Sequence, residues 1–242
     1  QRQYTGDDNQ PVPSVTTILS ATGDKSALIA WRKRVGDAEA TRISTEAAGL
    51  GTKVHNALEK FILGEEWNTF GNNHVSVLAE SMTSEMINNG LNKIDELWGV
   101  EVALLAKGLY AGTSDAIGVY EGQDAIIDFK TAKKMKKREW IEDYFLQGCA
   151  YALAHNEMFD TDIKKVVILM VDRESKFKEF SIEGEEFDRY ARFHSWGTAR
   201  EVFTWEDLLD VEIPNLKIND QKNLANIYGS MCFKATWNWK QF

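Results

Sequence analysis

A mixed β-sheet flanked by helices, with an N-terminal helical region, is the α/β architecture predicted by the sequence of this 242-residue chain. Three observations carry it. Apolar residues keep helical spacing up to about position 98, after which the pattern changes to short β-rich stretches separated by glycines. The resulting order of helices, three strands, a helix and a strand is that of a sheet layered between helices. The longest uninterrupted aliphatic stretch, 166–171, has the length of a strand buried on both faces.

Each element follows from local signals. After Pro13, Ser14 can cap a helix through Ile18 and Leu19, and the apolar pair Leu28 and Trp31 suggests a second short helix. Gly49-Leu50-Gly51-Thr52 predicts a break, followed by a helix carrying Val54, His55, Leu58, Glu59 and Ile62. Residues 75–98 read as helix, then 100–105, 110–120 and 125–131 as strands. A helix over 139–156, strands over 164–171 and 176–182, and a helix over 183–203 complete the chain. The only prolines are Pro11, Pro13 and Pro214, and no repeat or low-complexity tract interrupts the body. One domain over 1–242 is therefore expected, with 1–98 mainly helical, 99–182 holding the sheet and its helix, and 183–242 a C-terminal helix and tail.

Composition excludes some classes. Apolar residues at 43% and charged residues at 27% argue against a disordered or fibrous chain. The longest aliphatic run falls far short of the roughly 20 residues that span a bilayer, and no charged-then-apolar leader opens the sequence, so a soluble intracellular protein is expected, in a cytoplasm or an organelle. Two cysteines, Cys149 and Cys232, are too few for a disulfide framework or a four-thiolate metal site. The net charge of −9 weighs against a nucleic-acid partner on average. Locally the balance reverses, because six of the nine residues over 130–138 are basic and none is acidic.

The chemistry concentrates next to that run. Side chains alternate along a strand, so within Ile126-Ile127-Asp128-Phe129-Lys130-Thr131 the carboxylate of Asp128 and the ammonium of Lys130 point one way while Ile127 and Phe129 point into the core. Asp115 lies on the preceding strand, with Gly118 and Gly122 in between to turn the chain, and antiparallel pairing can bring the two aspartates together. Clustered carboxylates repel unless protonated or neutralised by a cation, and oxygen ligation suits Mg²⁺ or Mn²⁺. Such an ion can hold a phosphate and lower the pKa of water, with Lys130 orienting that water or neutralising the transition state. Read alone, Asp128 and Lys130 also fit a surface ion pair.

Four motifs in order extend this reading: Gly51-Thr52-Lys53-Val54-His55, Ala111-Gly112-Thr113-Ser114-Asp115, Asp128-Phe129-Lys130 and Gln147-Gly148-Cys149-Ala150-Tyr151. Together they resemble the RecB-like exonuclease branch of the PD-(D/E)XK nuclease superfamily over roughly residues 14 to 155. The opening Pro13-Ser14-Val15-Thr16-Thr17-Ile18-Leu19 is similar to small phage and mitochondrial exonucleases of that branch. The resemblance implies a restriction-endonuclease-like core. It implies His55 as a metal ligand, Asp115 and Asp128 as the central metal-binding carboxylates, the Phe129 carbonyl as a further ligand and Lys130 as the catalytic lysine. It assigns Gln147 and Tyr151 to positioning the lysine and DNA. Helical spacing puts Glu59 on the face of His55, where it could join the same metal cluster, and Tyr151 on the face of Gln147, with Gly148 and Ala150 small enough for close approach to the sheet. Glu101 is a candidate extra carboxylate, or simple surface charge. The chain departs from part of the branch in lacking the four cysteines of an iron–sulfur cluster.

Lys133, Lys134, Lys136, Lys137 and Arg138 directly follow the strand of Lys130, so phosphate contacts there would feed a strand of DNA into the metal site; a solvated loop is the alternative. Trp31-Arg32-Lys33-Arg34 and Thr236-Trp237-Asn238-Trp239-Lys240 mix aromatic and basic residues as single-strand binders do. No Gly-x-x-x-x-Gly-Lys-Ser/Thr loop is present, so no nucleotide cofactor is expected and unwinding would fall to a helicase or recombination partner. The expectation is a Mg²⁺- or Mn²⁺-dependent exonuclease acting on single-stranded DNA. A structure-specific endonuclease with the same core and an idle DNA-binding or assembly module are the alternatives.

Overall fold

The computed structural model describes residues 3–5 and 11–192; the tail motif around Trp237 and Trp239, Cys232 and the end of the helix expected over 183–203 lie outside the described residues. An antiparallel ribbon of β1 (Gln3–Thr5) and β2 (Pro11–Pro13) precedes the expected elements. Helix α1 (Val15–Thr22) begins where Ser14 Oγ accepts the Thr17 N–H at 3.0 Å, and it buries Val15, Ile18 and Leu19. Helices α2 (Ser26–Val35), α3 (Asp37–Ile62) and α4 (His74–Asn89) follow. Then come β3 (Ile94–Ala106), β4 (Tyr110–Tyr120), β5 (Gln123–Ala132), α5 (Glu142–Phe159), β6 (Lys165–Asp172), β7 (Phe177–Glu183) and α6 (Gly184–Ala191).

The five strands form one mixed sheet in the order β3-β4-β5-β6-β7. Only β5 and β6 run parallel, and α5 makes the crossover between them. Alternation sends Ile117, Ile126, Ile168 and Met170 to one face, against α1, α5 and α6. Ala116, Ile127, Phe129, Val167 and Leu169 go to the other face, against α3 and α4. Each such fully buried Ile, Leu or Phe contributes about 1.5–3 kcal/mol of transfer free energy, so both faces are firmly held. Among the described residues no helix is long and apolar enough to cross a membrane.

Three expectations are corrected. Helix α3 runs unbroken through Gly49-Leu50-Gly51-Thr52. Glycine lowers helix stability by about 1 kcal/mol, a cost that packing can outweigh, and here Leu50 is buried in the core beneath the sheet. Gly51 lets the helix lie on β5, since a Cβ there would stand 3.3 Å from Thr131 Oγ1. The helix expected over 75–98 ends at Asn89; Gly90 caps it where a Cβ would collide with Leu169, and a short turn over Leu91–Lys93 leads into β3. The β4–β5 turn is made by Glu121 and Gly122, both at positive φ as a two-residue hairpin requires. Gly118 is not in that turn; it sits inside β4, where the Glu96 carbonyl of β3 leaves no room for a side chain.

Candidate metal centre

The β4–β5 ladder ends with Ala116 opposite Ile127, which places Asp115 and Asp128 at the next step along the two strands. Asp115 Oδ2 accepts the Phe129 backbone N–H at 2.7 Å. Its Oδ1 lies 3.6 Å from His55 Nδ1, carried on α3. Glu101 enters from β3, between the pairs Val100–Ala116 and Val102–Ser114. One donor atom from each of His55, Glu101 and Asp115 falls within 4.8 Å of the others, a spacing that a single cation can bridge.

Glu101 holds φ +49, in the left-handed region that non-glycine residues avoid. It follows the irregular β3–β4 register at Leu97 and Gly99. Such a conformation costs on the order of 1–3 kcal/mol and persists where surrounding structure imposes it, commonly at functional sites. Glu59, one turn beyond His55 on α3, does not join the cluster. Phe129 enters it through its N–H.

Asp128 is 3% exposed. Lys130 Nζ bonds its Oδ1 at 2.7 Å and stands 2.6 Å from Oδ2, outside hydrogen-bonding geometry. Among the described residues Oδ2 is thus a buried carboxylate oxygen with no hydrogen-bond partner, its charge faced by the Lys130 ammonium. Native proteins rarely leave such an atom unanswered, and a cation is one answer. Burial, reinforced by the charge of Asp115 and opposed by Lys130, pushes the Asp128 carboxyl up to about 6. For Asp115 burial also disfavours the charge, but His55, Lys130 and the Phe129 N–H outweigh it and hold the carboxyl below its ordinary value. Burial alone would lower His55, yet the bond and charge of Asp115 raise it. Lys130 is raised despite burial, by Asp128 and Asp115.

Helix α5 closes the other side. Gln147 Oε1 is 3.5 Å from Lys130 Nζ, and its Nε2 donates to Tyr151 Oη at 3.2 Å. Tyr151 lies over Gly112, where a Cβ would sit 2.5 Å from its ring, and Gly148 packs against Val166 with no space for a methyl group. The two glycines let α5 approach the sheet closely enough for Gln147 to reach the lysine. Tyr144, which sequence reasoning missed, lies 4.9 Å below Lys130 Nζ and 4.7 Å from Lys136 Nζ, and its hydroxyl accepts from Lys136. Its position three residues before Gln147 was a usable signal, because it puts both on one face.

The basic residues after β5 divide. Lys133 and Lys134 are exposed. Lys136 is tied to Tyr144, and Arg138 donates to the Ser181 carbonyl and to Glu186. Lys137 lies 3.8 Å from Glu139 and 5.4 Å over the Trp140 ring. Asp172, also missed, is buried and accepts backbone N–H groups from Met135, Glu174 and Lys176, which pins the basic loop to the end of β6. No local motif marks it. Trp31 is half-buried on α2, and Arg32 is paired with Asp37 at 2.9 Å.

No family model and no curated protein matches the chain. Among solved structures, a protein from Eubacterium rectale described as a "putative exonuclease" is similar over 73% of this chain and 79% of its own, at 13% identity and a TM-score of 0.47. The protein SSO0001 is similar over 85% of this chain and 87% of its own, at 17% identity and a TM-score of 0.39. Both scores lie under 0.5, and neither likeness bears on the reaction.

Proposed function

We propose that the chain is a divalent-metal-dependent deoxyribonuclease of the PD-(D/E)XK type, a single nuclease domain that degrades single-stranded DNA from an end. The observation that carries this reading is the meeting of His55, Glu101 and Asp115 donor atoms beside a buried Asp128–Lys130 pair with an orphaned carboxylate oxygen. These residues fit Mg²⁺ or Mn²⁺, with the imidazole inclining the set toward Mn²⁺, and the Phe129 carbonyl is a further donor in this proposal. A bound ion would supply Lewis-acid polarisation of the phosphate and a more acidic water.

The chain's own residues do the rest. Lys130 places a fixed positive charge in a site of low polarity, where charge building on the phosphoryl oxygens is stabilised most strongly. Asp128 holds that ammonium in position, and Gln147 limits its swing while Tyr151 fixes Gln147. Lys133 and Lys134, both exposed, are the residues assigned to meet phosphates of the incoming strand. An idle binding module would have no need of a buried lysine–carboxylate pair beside the cluster, since such pairs seldom add stability.

The test is digestion of end-labelled linear and closed circular single strands of one sequence with Mg²⁺. Linear DNA is consumed without sequence preference and circles survive; blunt duplex is cut more slowly. Circles opened as fast as linear strands are digested would select the endonuclease alternative, and no Mg²⁺-dependent cleavage of either would overturn the nuclease reading.

A further inference from the structure

The loop that leaves β5 sorts its side chains into two sets. One set anchors it: the Met135 N–H is held by Asp172, Lys136 by Tyr144, Arg138 by Ser181 and Glu186, and Ile141 is fully buried. Four residues spread over 135–141 therefore fix the loop to the body of the domain. The other set points to solvent: Lys133, Lys134, Lys137, Glu139 and Trp140. Three cations against one carboxylate leave the stretch 133–140 positive on this side, ahead of the exposed Glu142 and Asp143 that open α5 and although the whole chain carries −9.

Trp140 is the unexpected member. At 63% exposure it is the most exposed large apolar side chain among the described residues. Its backbone is held in a tight turn, with its N–H donating to the Lys137 carbonyl at 3.0 Å, between anchored Arg138 and buried Ile141. An indole kept in water on a rigid mount, under a lysine 5.4 Å from its ring, is built to receive a flat π-surface that carries negative charge nearby. Nucleic-acid bases joined by phosphates have that chemistry, and bases in a duplex do not offer their faces.

We propose that Trp140 is a base-stacking platform for single-stranded DNA, with Lys133, Lys134 and Lys137 as the phosphate contacts alongside it. This deepens the proposed function and rests on it for the meaning of the site, but it makes a separate claim about binding. The platform belongs to the loop that leaves the strand of Lys130, and its Lys136 packs on the same Tyr144 ring as Lys130 does.

The experiment measures anisotropy of a labelled oligothymidylate in excess chelator, which keeps the strand intact, alongside digestion of the same strand in Mg²⁺. Trp140→Ala should weaken binding about tenfold, Trp140→Phe should restore most of it, and abasic sites in the strand should weaken the unaltered protein but hardly affect Trp140→Ala. Equal affinity of Trp140→Ala and the unaltered protein would overturn the inference. So would an equal loss on fully abasic strands, displacement by polyglutamate as effective as by oligothymidylate, or no binding at all. If Mg²⁺-dependent cleavage proceeds in any of those cases, the nuclease reading stands without the platform. If base-dependent binding is found without cleavage, the platform stands and the nuclease reading falls.

Discussion

Asp115 and Phe129 lock the two central strands together at the site: the Phe129 N–H donates to Asp115 Oδ2 at 2.7 Å, leaving Oδ1 to face His55. A backbone group of β5 thus fixes which oxygen of a β4 carboxylate is presented to the cluster. Orientation set this way costs no side-chain freedom at the moment a cation binds, which is the condition for a preorganised centre.

Glu101 and Glu59 separate geometry from mere proximity in sequence. Glu101→Gln should weaken Mn²⁺ binding by at least about tenfold, the lower end of what losing even an outer-shell partner of a metal site costs, whereas Glu59→Gln should leave it unchanged. Isothermal titration of the two variants checks this, and a reversed order would remove Glu101 from the centre.

Lys130→Ala should lower turnover about a hundredfold or more while Mn²⁺ affinity changes little, since the role proposed for the ammonium is on the reacting phosphate and not on the cation. The variant leaves Asp128 buried and unpaired, so it should also be less stable, by about 3–5 kcal/mol. Urea unfolding and single-turnover kinetics read the two effects separately.

How much of this was legible follows from the range of each signal. Strand alternation placed Asp128 and Lys130 on one face, and the four-residue rule placed Gln147 with Tyr151, because both are local. The approach of the exposed Glu101 to Asp115 depends on an irregular β3–β4 register and a positive φ, which no residue type announces. Asp172 acts on Met135 across a parallel strand pair, a contact that exists only once β5 and β6 lie together. The break expected at Gly49-Leu50-Gly51-Thr52 came from weighing glycine propensity alone, when burial of Leu50 and the fit of Gly51 on Thr131 decide the helix.

The two sets of basic side chains should respond differently to substitution. Replacing Lys133, Lys134 and Lys137 with Ala should flatten the dependence of log affinity on log salt by about two, from a contribution near 0.7 per phosphate contact. Arg138→Ala should leave that slope unchanged, because Arg138 is engaged with Ser181 and Glu186. Equal slopes for the triple variant and the unaltered protein would return the run to a solvated loop.

His155 should make stability depend on pH away from the site. Thr161 Oγ1 gives its one proton to Asn156 Oδ1 at 2.8 Å, so it must accept from His155 Nδ1, which lies 2.8 Å away. Burial against Trp98 and Phe159 lowers the imidazole from 6.5 to about 4. The unfolded chain takes up this proton first, so the contribution is present above about 6.5 and is lost as pH falls through about 4. Urea midpoints between pH 7 and pH 4.5 should drop, and drop less in His155→Gln.

The central claim is that this carboxylate, histidine and lysine cluster hydrolyses DNA with a divalent ion, and release of acid-soluble nucleotides from an end-labelled linear single strand tests it most directly. Release should require Mg²⁺ or Mn²⁺, stop in excess chelator, return when the metal is restored, and be lost in Asp128→Asn. Undiminished release in excess chelator, or from Asp128→Asn in Mg²⁺, would contradict it.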